Sequence, residues 1–250
     1  MRIHFQVTSS DASRARTFFE LHRDSPFVRA RIERNLRGHR RPLTPARVWL
    51  ALVACLLTTQ QRSGPQSSVA RFLRLRPAPL SLLRCRRAGP RLARYVEVSL
   101  GAHGGIRRTS IISAELEANL RWLDDEGWGR VLPLVHCLAG KHTPQDERTA
   151  AEELARGLRG LGPKQSRNLL QSLGVTQHEV PIDSRVTKWL RDFGFPIGLS
   201  AVALSDPEYY AFVSEGFQAL CAKAKVAPCA MDAAIFSSFD QVWAAEDVVF

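Results

Sequence analysis

An all-α fold, built as one large domain or as two closely packed domains, is the architecture that the sequence predicts. Apolar residues recur at three- and four-residue spacing along most of the 250-residue chain, which is the periodicity of amphipathic helices. Alternating patterns typical of strands are scarce, and residues 3–7 are the one stretch that resembles a strand. Because 45% of the residues are apolar, the chain can bury a core of the necessary size.

Capping residues, prolines and glycines divide the chain into successive helices. Ser10 suits the N-cap of the first helix, Pro45 suits a first helical position, and Gly174 suits a helix end. The basic residues 38–42, which include a glycine and a proline, suit a linker between domains. We expect helices over residues 10–22, 26–36, 44–57, 67–75, 80–88, 91–100, 110–126, 128–138, 143–158, 164–173, 183–193, 206–225 and 228–246.

The charge of the chain favours a polyanionic partner. Thirty-five lysines and arginines against 24 acidic residues give a formal net charge of +11, and phosphate contacts by such residues release counterions. A membrane surface is the other candidate, but the longest apolar run, residues 48–57, is about half of a bilayer span and predicts a buried helix. The N-terminal segment lacks the apolar core of a signal peptide, so we expect a cytoplasmic protein.

The five cysteines give no support for a metal site. Their number is odd, their spacings are wide, and no Cys-x-x-Cys occurs, whereas zinc and iron–sulfur sites use closely spaced cysteines. Cys55 and Cys137 lie in apolar runs, so we expect both to be reduced residues of the core.

A Gly-x-Gly turn between two predicted helices is the most informative local feature. Residues 158–166 have the sequence Leu-Arg-Gly-Leu-Gly-Pro-Lys-Gln-Ser, which places Lys164 at the start of the second helix. Gly160 and Gly162 allow a tight turn that approaches another surface closely, and the free N–H groups of the following helix suit a phosphate. Asp183 follows nineteen residues after Lys164. Because the chain has five lysines against thirty arginines, a lysine here indicates more than general positive charge.

The hairpin and the aspartate together resemble the helix–hairpin–helix/Gly-Pro-Asp superfamily of DNA glycosylases. The family pattern is roughly apolar-Pro-Gly-apolar-Gly-x-Lys-x-Ala, followed about eighteen or nineteen residues on by apolar-x-apolar-Asp, and residues 180–183 are Val-Pro-Ile-Asp. The spacing of nineteen is the one that eukaryotic-type 8-oxoguanine glycosylases use. Residues 56–61, Leu-Leu-Thr-Thr-Gln-Gln, are similar to the Leu-Leu-Ser-x-Gln turn of endonuclease III-like members. The resemblance covers about residues 44–195.

The sequence departs from the family pattern at several positions. Arg159 replaces the usual proline, Ser166 replaces the usual alanine, and Arg185 stands where many members carry a histidine. The C-terminal four-cysteine cluster of endonuclease III is absent, so the resemblance implies no iron–sulfur cluster and argues against that branch of the family.

The resemblance implies that Lys164 and Asp183 are the catalytic residues of a bifunctional glycosylase/lyase. The neutral amine of Lys164 would attack C1′ of the damaged nucleotide, expel the base and form a Schiff base, and β-elimination would then break the strand. Asp183 would stabilise positive charge at C1′. The alternatives are a lysine that contacts phosphate and an aspartate that caps a helix, and the second role is compatible with catalysis.

Four further residues are implied to hold the DNA. Gly160, Gly162 and Arg185 would bind backbone phosphates, although Arg185 also suits a solvated surface position. Gln60 matches the residue that fills the gap left by an extruded base, with Gln61 as a competitor and a plain turn glutamine as the alternative.

The last predicted helix suggests how the base is recognised. Asp232 and Phe236 stand four residues apart on one helical face, and an archaeal 8-oxoguanine glycosylase branch has a similar pair of an acid and an aromatic residue. The acid would accept hydrogen bonds from the purine, and the ring would stack on it. A surface aspartate and a core phenylalanine are the alternative.

Family members often hold a monovalent cation with carbonyl groups of the hairpin. The corresponding carbonyls here belong to Arg156, Leu158 and Leu161. We expect no other cofactor.

The resemblance also implies two packed helical domains with the helix–hairpin–helix element at the cleft between them. Residues 44–158 would form the central domain, residues 1–43 and 195–250 the other domain, and residues 159–194 the hairpin and the aspartate segment. The implied function is a monomeric base-excision-repair glycosylase and AP lyase that removes an oxidised purine, 8-oxoguanine first, from double-stranded nucleoid DNA.

Three alternatives remain open. An oxidised-pyrimidine glycosylase is the alternative within the same class of enzyme. A non-catalytic helix–hairpin–helix DNA-binding module would need the glycines and the basic charge, but not Lys164 and Asp183. A basic helical scaffold for RNA or protein would explain the charge alone.

Overall fold

The all-α prediction is confirmed. A computed structural model describes residues 5–61 and 64–239, and within these ranges the regular secondary structure is entirely helical. The α-helices are α1 (Ser9–His22), α2 (Pro26–Arg31), α3 (Pro45–Leu57), α4 (Ser68–Arg74), α5 (Leu82–Ala88), α6 (Leu92–His103), α7 (Thr109–Trp122), α8 (Trp128–Cys137), α9 (Pro144–Gly157), α10 (Pro163–Leu173), α11 (Ser184–Phe193), α12 (Pro207–Ala224) and α13 (Pro228–Phe239). Short π-helical turns continue α2 over Ile32–Leu36 and α7 over Leu123–Gly127.

The expected strand at residues 3–7 is wrong over the part that the structure describes. Residues 5–7 have no regular structure. The ring of Phe5 instead packs against Phe195 and Phe212, with centroid distances of 5.4 and 4.8 Å. Aromatic packing onto a helical domain therefore takes the place of strand pairing.

Most of the buried apolar side chains of the described residues form two hydrophobic cores, and a third, small cluster of Val28, Ala233 and Ala234 joins α2 to α13. The larger one comprises residues between Val48 and Val175, and the smaller one comprises Ala15 and residues between Val180 and Ile235. Helix α3 lies at the centre of the larger core, and Trp49 is fully buried there and donates a hydrogen bond to the Leu80 carbonyl at 2.9 Å. Burial of each large apolar side chain stabilises the fold by about 1.5–3 kcal/mol. Among the described residues, no helix has the length and apolarity needed to cross a membrane.

The boundary between the two cores falls inside the hairpin segment. Helix α10 contributes Leu169, Leu170 and Leu173 to the larger core, whereas α11 contributes Val186 and Leu190 to the smaller one. The connection between these two helices, residues 174–183, therefore passes from one core to the other.

A buried glutamate organises this connection. Glu147 of α9 is fully buried, and its carboxylate accepts hydrogen bonds from the backbone N–H groups of Gln177, His178 and Glu179 at 2.7, 2.8 and 2.7 Å. The ring of His142 lies 2.7 Å from the same carboxylate. Such charge-assisted bonds are stronger than neutral ones, so this irregular segment has a fixed course.

The cysteines are all free, and one expectation about them is wrong. Cys55 is buried as expected, but Cys137 is exposed. In α8 the buried positions are Val131 and Val135, one turn apart, and Cys137 lies on a different face of the helix. The apolar run that contains Cys137 therefore did not indicate which of its residues face the core.

Candidate active site

The hairpin between α9 and α10 depends on Gly160. Its φ angle is +82°, and a Cβ atom there would lie 2.6 Å from Leu56 and 2.7 Å from the Glu115 carboxyl group. The peptide of the preceding residue is held on both sides by Asn119, whose side chain accepts from Arg159 N at 2.7 Å and donates to Arg159 O at 3.0 Å. Only glycine therefore fits at this turn of the backbone.

Gly162 has a different environment. It is exposed, its φ angle of −95° is open to any residue, and nothing lies within 4 Å of a Cβ atom built there. It is also the N-cap of α10, and no side chain caps this helix. The first N–H groups of α10 consequently point outward, in the arrangement that suits an anion.

Lys164 lies in the first turn of α10. Its side chain is half-buried, and it makes no hydrogen bond or ion pair with any described residue, Asp183 included. The next residue, Gln165, donates to the Cys55 carbonyl and the Thr59 hydroxyl, which brings the start of α10 to the end of α3. Burial raises the pKa of the Cys55 thiol to about 12, and the positive charge of Lys164 acts in the opposite direction. The amine thus has no structural partner among the described residues.

Asp183 is the N-cap residue of α11. Its Oδ1 accepts from Arg185 N at 2.8 Å and Val186 N at 3.0 Å, and its Oδ2 lies 3.2 Å from the Arg185 guanidinium. The side chain therefore caps the helix through one oxygen, while the other oxygen is paired with an arginine that is itself 28% exposed.

Gln60 and Gln61, in the turn after α3, differ in their contacts. Gln61 is engaged, because its amide donates to the Leu57 carbonyl and its Oε1 accepts from Arg107 N at 2.8 Å. Gln60 is exposed, has a φ angle of +56°, and makes no side-chain hydrogen bond with the described residues. Gln165 of α10 ties this turn to the hairpin helix by hydrogen bonds to the Cys55 carbonyl and the Thr59 hydroxyl.

Asp232 of α13 is buried at the junction of the cores. Its Oδ2 accepts from Arg31 at 3.0 Å and from the side-chain amide of Gln171. Asp232 is 7% exposed, and both of these hydrogen bonds go to Oδ2, so Oδ1 accepts none from the described residues. Burial raises the pKa of Asp232 to about 7, with Arg31 acting in the opposite direction and the charge of Asp183 adding to the rise. The acid of the last helix thus lies within electrostatic reach of the aspartate of α11.

Phe236 is in contact with an aromatic ring and with a guanidinium group. The ring of Phe27 stacks on it at a centroid distance of 4.4 Å, and the Arg185 guanidinium lies 4.3 Å from its centroid. A base that stacked on the part of the ring that Arg185 covers would have to displace this guanidinium.

One face of α10 links these parts. Lys164, Asn168 and Gln171 stand four and three residues apart, so they lie along the same side of the helix over about 10 Å. Gln171 reaches Asp232 at the far end, and Lys164 lies at the near end. This face of α10 therefore extends from the hairpin to the contact with α13.

Several residues around these groups were not predicted from the sequence. Asn168 and Gln171 could have been found by their helical spacing from Lys164. Arg31 and Phe27 could not, because Arg31 is 201 residues from Asp232 and nothing in its surrounding sequence marks it.

Two of the residues whose carbonyl groups are expected to hold a cation have different surroundings. The Leu158 carbonyl accepts a hydrogen bond from Leu161 N at 3.3 Å, inside the hairpin, and Arg156 lies in the last turn of α9. No group of three or more histidines, cysteines or carboxylates suited to a metal occurs among the described residues.

The helical fold of this chain, with its hairpin between α9 and α10, is similar to those of two solved structures. The 8-oxoguanine DNA glycosylase of Thermotoga maritima is similar with a TM-score of 0.61 and 18% identity, covering 91% of this chain and 96% of that one. The 8-oxoguanine DNA glycosylase of Methanocaldococcus jannaschii is similar with a TM-score of 0.60 and 14% identity, covering 91% and 94%. The resemblance is confirmed at the level of the fold. Neither a family model nor a curated protein matches the sequence.

Proposed function

We propose that this protein is a base-excision DNA glycosylase with AP-lyase activity that removes an oxidised purine, 8-oxoguanine first, from double-stranded DNA. The observation that carries this proposal is the environment of Lys164. Its amine is half-buried in the cleft and has no partner among the described residues, at the start of an uncapped helix behind a Gly-x-Gly hairpin. A lysine in this position adds little to stability and suits a nucleophile.

The chemistry follows from the two sides of the cleft. The neutral amine of Lys164 attacks C1′, the bond from C1′ to the base breaks, and the base leaves with the electron pair and takes up a proton. Opening of the sugar ring gives a Schiff base between C1′ and Lys164. Loss of a C2′ proton then breaks the C3′–O3′ bond, and water releases Lys164. Asp183 stabilises the positive charge that develops at C1′.

Three features support a DNA partner. The net charge of +11 favours a polyanion, and the exposed Gly162 with the free N–H groups of α10 suits a backbone phosphate. Gln60 is exposed on a left-handed turn that Gln165 ties to the hairpin helix, where it can enter the duplex beside the extruded nucleotide.

The other end of the cleft supports a purine. The Oδ1 of Asp232, which accepts no hydrogen bond from the described residues, can accept from a purine N–H group, while Phe236 offers an aromatic face once Arg185 has moved. Saturated pyrimidines such as thymine glycol are non-planar and stack poorly. The hypothesis of an oxidised-pyrimidine glycosylase is therefore not favoured, and borohydride trapping tests it.

Borohydride trapping on defined duplexes tests the proposal. The panel contains 8-oxoguanine, thymine glycol, an abasic site and an undamaged base, and the proteins are the wild type, Lys164→Gln and Lys188→Gln. Lys188 is an exposed lysine of α11 that pairs with Asp192, so it controls for the loss of one positive charge. We expect adducts with the 8-oxoguanine and abasic duplexes for the wild type and Lys188→Gln, and none for Lys164→Gln.

Each of three other results would contradict the proposed function in a different way. Duplex binding without any adduct would indicate a non-catalytic DNA-binding module. Adducts that form faster with thymine glycol than with 8-oxoguanine would indicate a pyrimidine glycosylase. Adducts that persist in Lys164→Gln would show that another amine is the nucleophile.

A further inference from the structure

A buried polar cluster lies behind the catalytic pair and contacts the backbone beside each member. It consists of Arg167 from α10, Glu179 from the connection and Tyr210 from α12, and we refer to it as the Arg167 cluster. Arg167 is 2% exposed, and Glu179 and Tyr210 are fully buried. Burying charge is costly unless every group is paired, so the cluster requires an explanation beyond apolar packing.

On the lysine side, the cluster holds the start of α10. The Arg167 Nη1 donates to the Pro163 carbonyl at 3.0 Å, and its Nε donates to Glu179. Pro163 immediately precedes Lys164. The guanidinium therefore joins the peptide that carries the amine to the segment that leads to Asp183.

On the aspartate side, the cluster holds the residues before α11. The Tyr210 hydroxyl accepts from Ile182 N at 2.7 Å and donates to the Val180 carbonyl at 2.9 Å. Burial raises the pKa of Tyr210, so the hydroxyl keeps the proton that it donates. The Arg167 guanidinium lies over the Tyr210 ring, 4.4 Å from its centroid, which connects the two sides.

Glu179 anchors the cluster to both cores. Its carboxylate also receives hydrogen bonds from Arg148 of α9 at 3.3 Å, and from Ser214 and Gln218 of α12 at 3.1 and 2.9 Å. Helices α9 and α10 pack in the larger core and α12 in the smaller one. The cluster thus fixes the lysine peptide and the aspartate peptide against the same rigid support.

We propose that Arg167 and Tyr210 are positioning residues that set the separation between Lys164 and Asp183 needed for Schiff-base formation and β-elimination. The inference rests on the proposed function. Neither side chain is exposed to the cleft, so neither contacts DNA. Their effect falls on the rate of the chemical steps, because a misplacement of about 1 Å between reacting groups can slow a reaction by about a hundredfold.

The test compares two adjacent tyrosines. Tyr210→Phe keeps the ring beneath Arg167 and removes the hydroxyl that holds Ile182 and Val180. Tyr209→Phe is the matched control, because its hydroxyl donates to the Gly198 carbonyl at an exposed site. We expect Tyr210→Phe to slow single-turnover nicking of an abasic duplex by roughly tenfold or more, with the affinity for that duplex unchanged within roughly twofold. Tyr209→Phe should match the wild type in both.

A second variant distinguishes the positioning role from a folding defect. Arg167→Lys keeps a positive charge opposite Glu179 but cannot bond Glu179 and Pro163 together, so we expect the same loss of rate at unchanged affinity. All rates are measured at a temperature where circular dichroism shows each variant to be folded. Wild-type rates in both variants, or a parallel loss of rate and affinity, would overturn the positioning role alone. A wild type that forms no borohydride adduct would overturn the proposed function, and this inference with it.

Discussion

The Asp183 carboxylate divides its two oxygens between the backbone of α11 and Arg185. Because Oδ1 alone makes both cap bonds, asparagine can replace the cap with its carbonyl oxygen while the negative charge is lost. We predict that Asp183→Asn lowers single-turnover excision roughly a hundredfold or more and leaves the melting temperature nearly unchanged. The control is Asp206→Asn at the N-cap of α12, where the same exchange should affect neither quantity. Melting far below the wild type with normal excision would show that Asp183 is only a cap.

The raised pKa of Asp232 predicts that base excision depends on pH. Burial raises the pKa of Asp232 to about 7, so the carboxylate, which under the proposed function accepts from the base, is present above about pH 7 and lost below it. We predict that the ratio of 8-oxoguanine excision to abasic-site nicking rises from about pH 6 to about pH 8, since nicking needs Lys164 but no base. The ratio should be low and independent of pH in Asp232→Asn. The same ratio at every pH in the wild type would remove Asp232 from base recognition.

The same shift affects stability with a definite sign. The pKa of Asp232 is higher in the folded chain than in the unfolded chain, so the folded state holds this proton more tightly. The contribution of Asp232 to stability is therefore complete below about pH 4 and decreases as the pH rises towards about 7. The Asp232→Asn variant should lack this decrease.

At the residue scale, the sequence is most informative where a motif has fixed spacing. The family pattern identifies Lys164 and Asp183 by the nineteen residues between them, and the structure places them at the starts of α10 and α11. The family pattern could not show that Arg185 lies over Phe236, or that Arg31 pairs with Asp232, because these contacts join side chains from different helices. Tertiary packing decides such pairs.

At the scale of elements, the hairpin contains two glycines with different physical roles. Gly160 has a left-handed backbone and no room for a Cβ atom, whereas Gly162 has an ordinary backbone and open space around it. We predict that Gly160→Ala lowers the free energy of unfolding by about 1–3 kcal/mol. Gly162→Ala should lower it by less than about 1 kcal/mol but weaken duplex binding by about tenfold, because the added methyl group keeps the phosphate away.

Urea unfolding and fluorescence anisotropy with a labelled duplex measure the two effects. Each variant serves as the control for the other. If Gly162→Ala binds DNA as the wild type does, the hairpin does not approach the backbone at that residue.

Helix positions were predicted well because caps and helix ends are local signals. The expected bounds of α9, α10 and α11 differ from the observed ones by one residue, since Thr143, Pro163 and Asp183 begin these helices through their own side chains or rings. The π-helical turns and the direction of Cys137 were not predicted, because they depend on packing between helices.

At the scale of the whole molecule, the net charge of +11 belongs mainly to the surface. Among the described residues the buried charges nearly cancel, because Arg31 pairs with Asp232 and Arg167 with Glu179. We predict that undamaged duplexes of different sequence bind with equal affinity, and that this affinity falls at least a hundredfold between about 50 and 200 mM salt. A shallow salt dependence, or a strong preference for one undamaged sequence, would indicate a protein that reads bases.

The carboxylate of Glu147 has a consequence for backbone dynamics. Loop amides normally exchange their hydrogens with water within seconds, because nothing protects them. In the connection between α10 and α11, the amides of residues 177–179 bond to Glu147 and that of Ile182 bonds to Tyr210. These hydrogens should therefore exchange as slowly as those of the adjoining helices, so that in deuterium labelling this loop would be indistinguishable from the core.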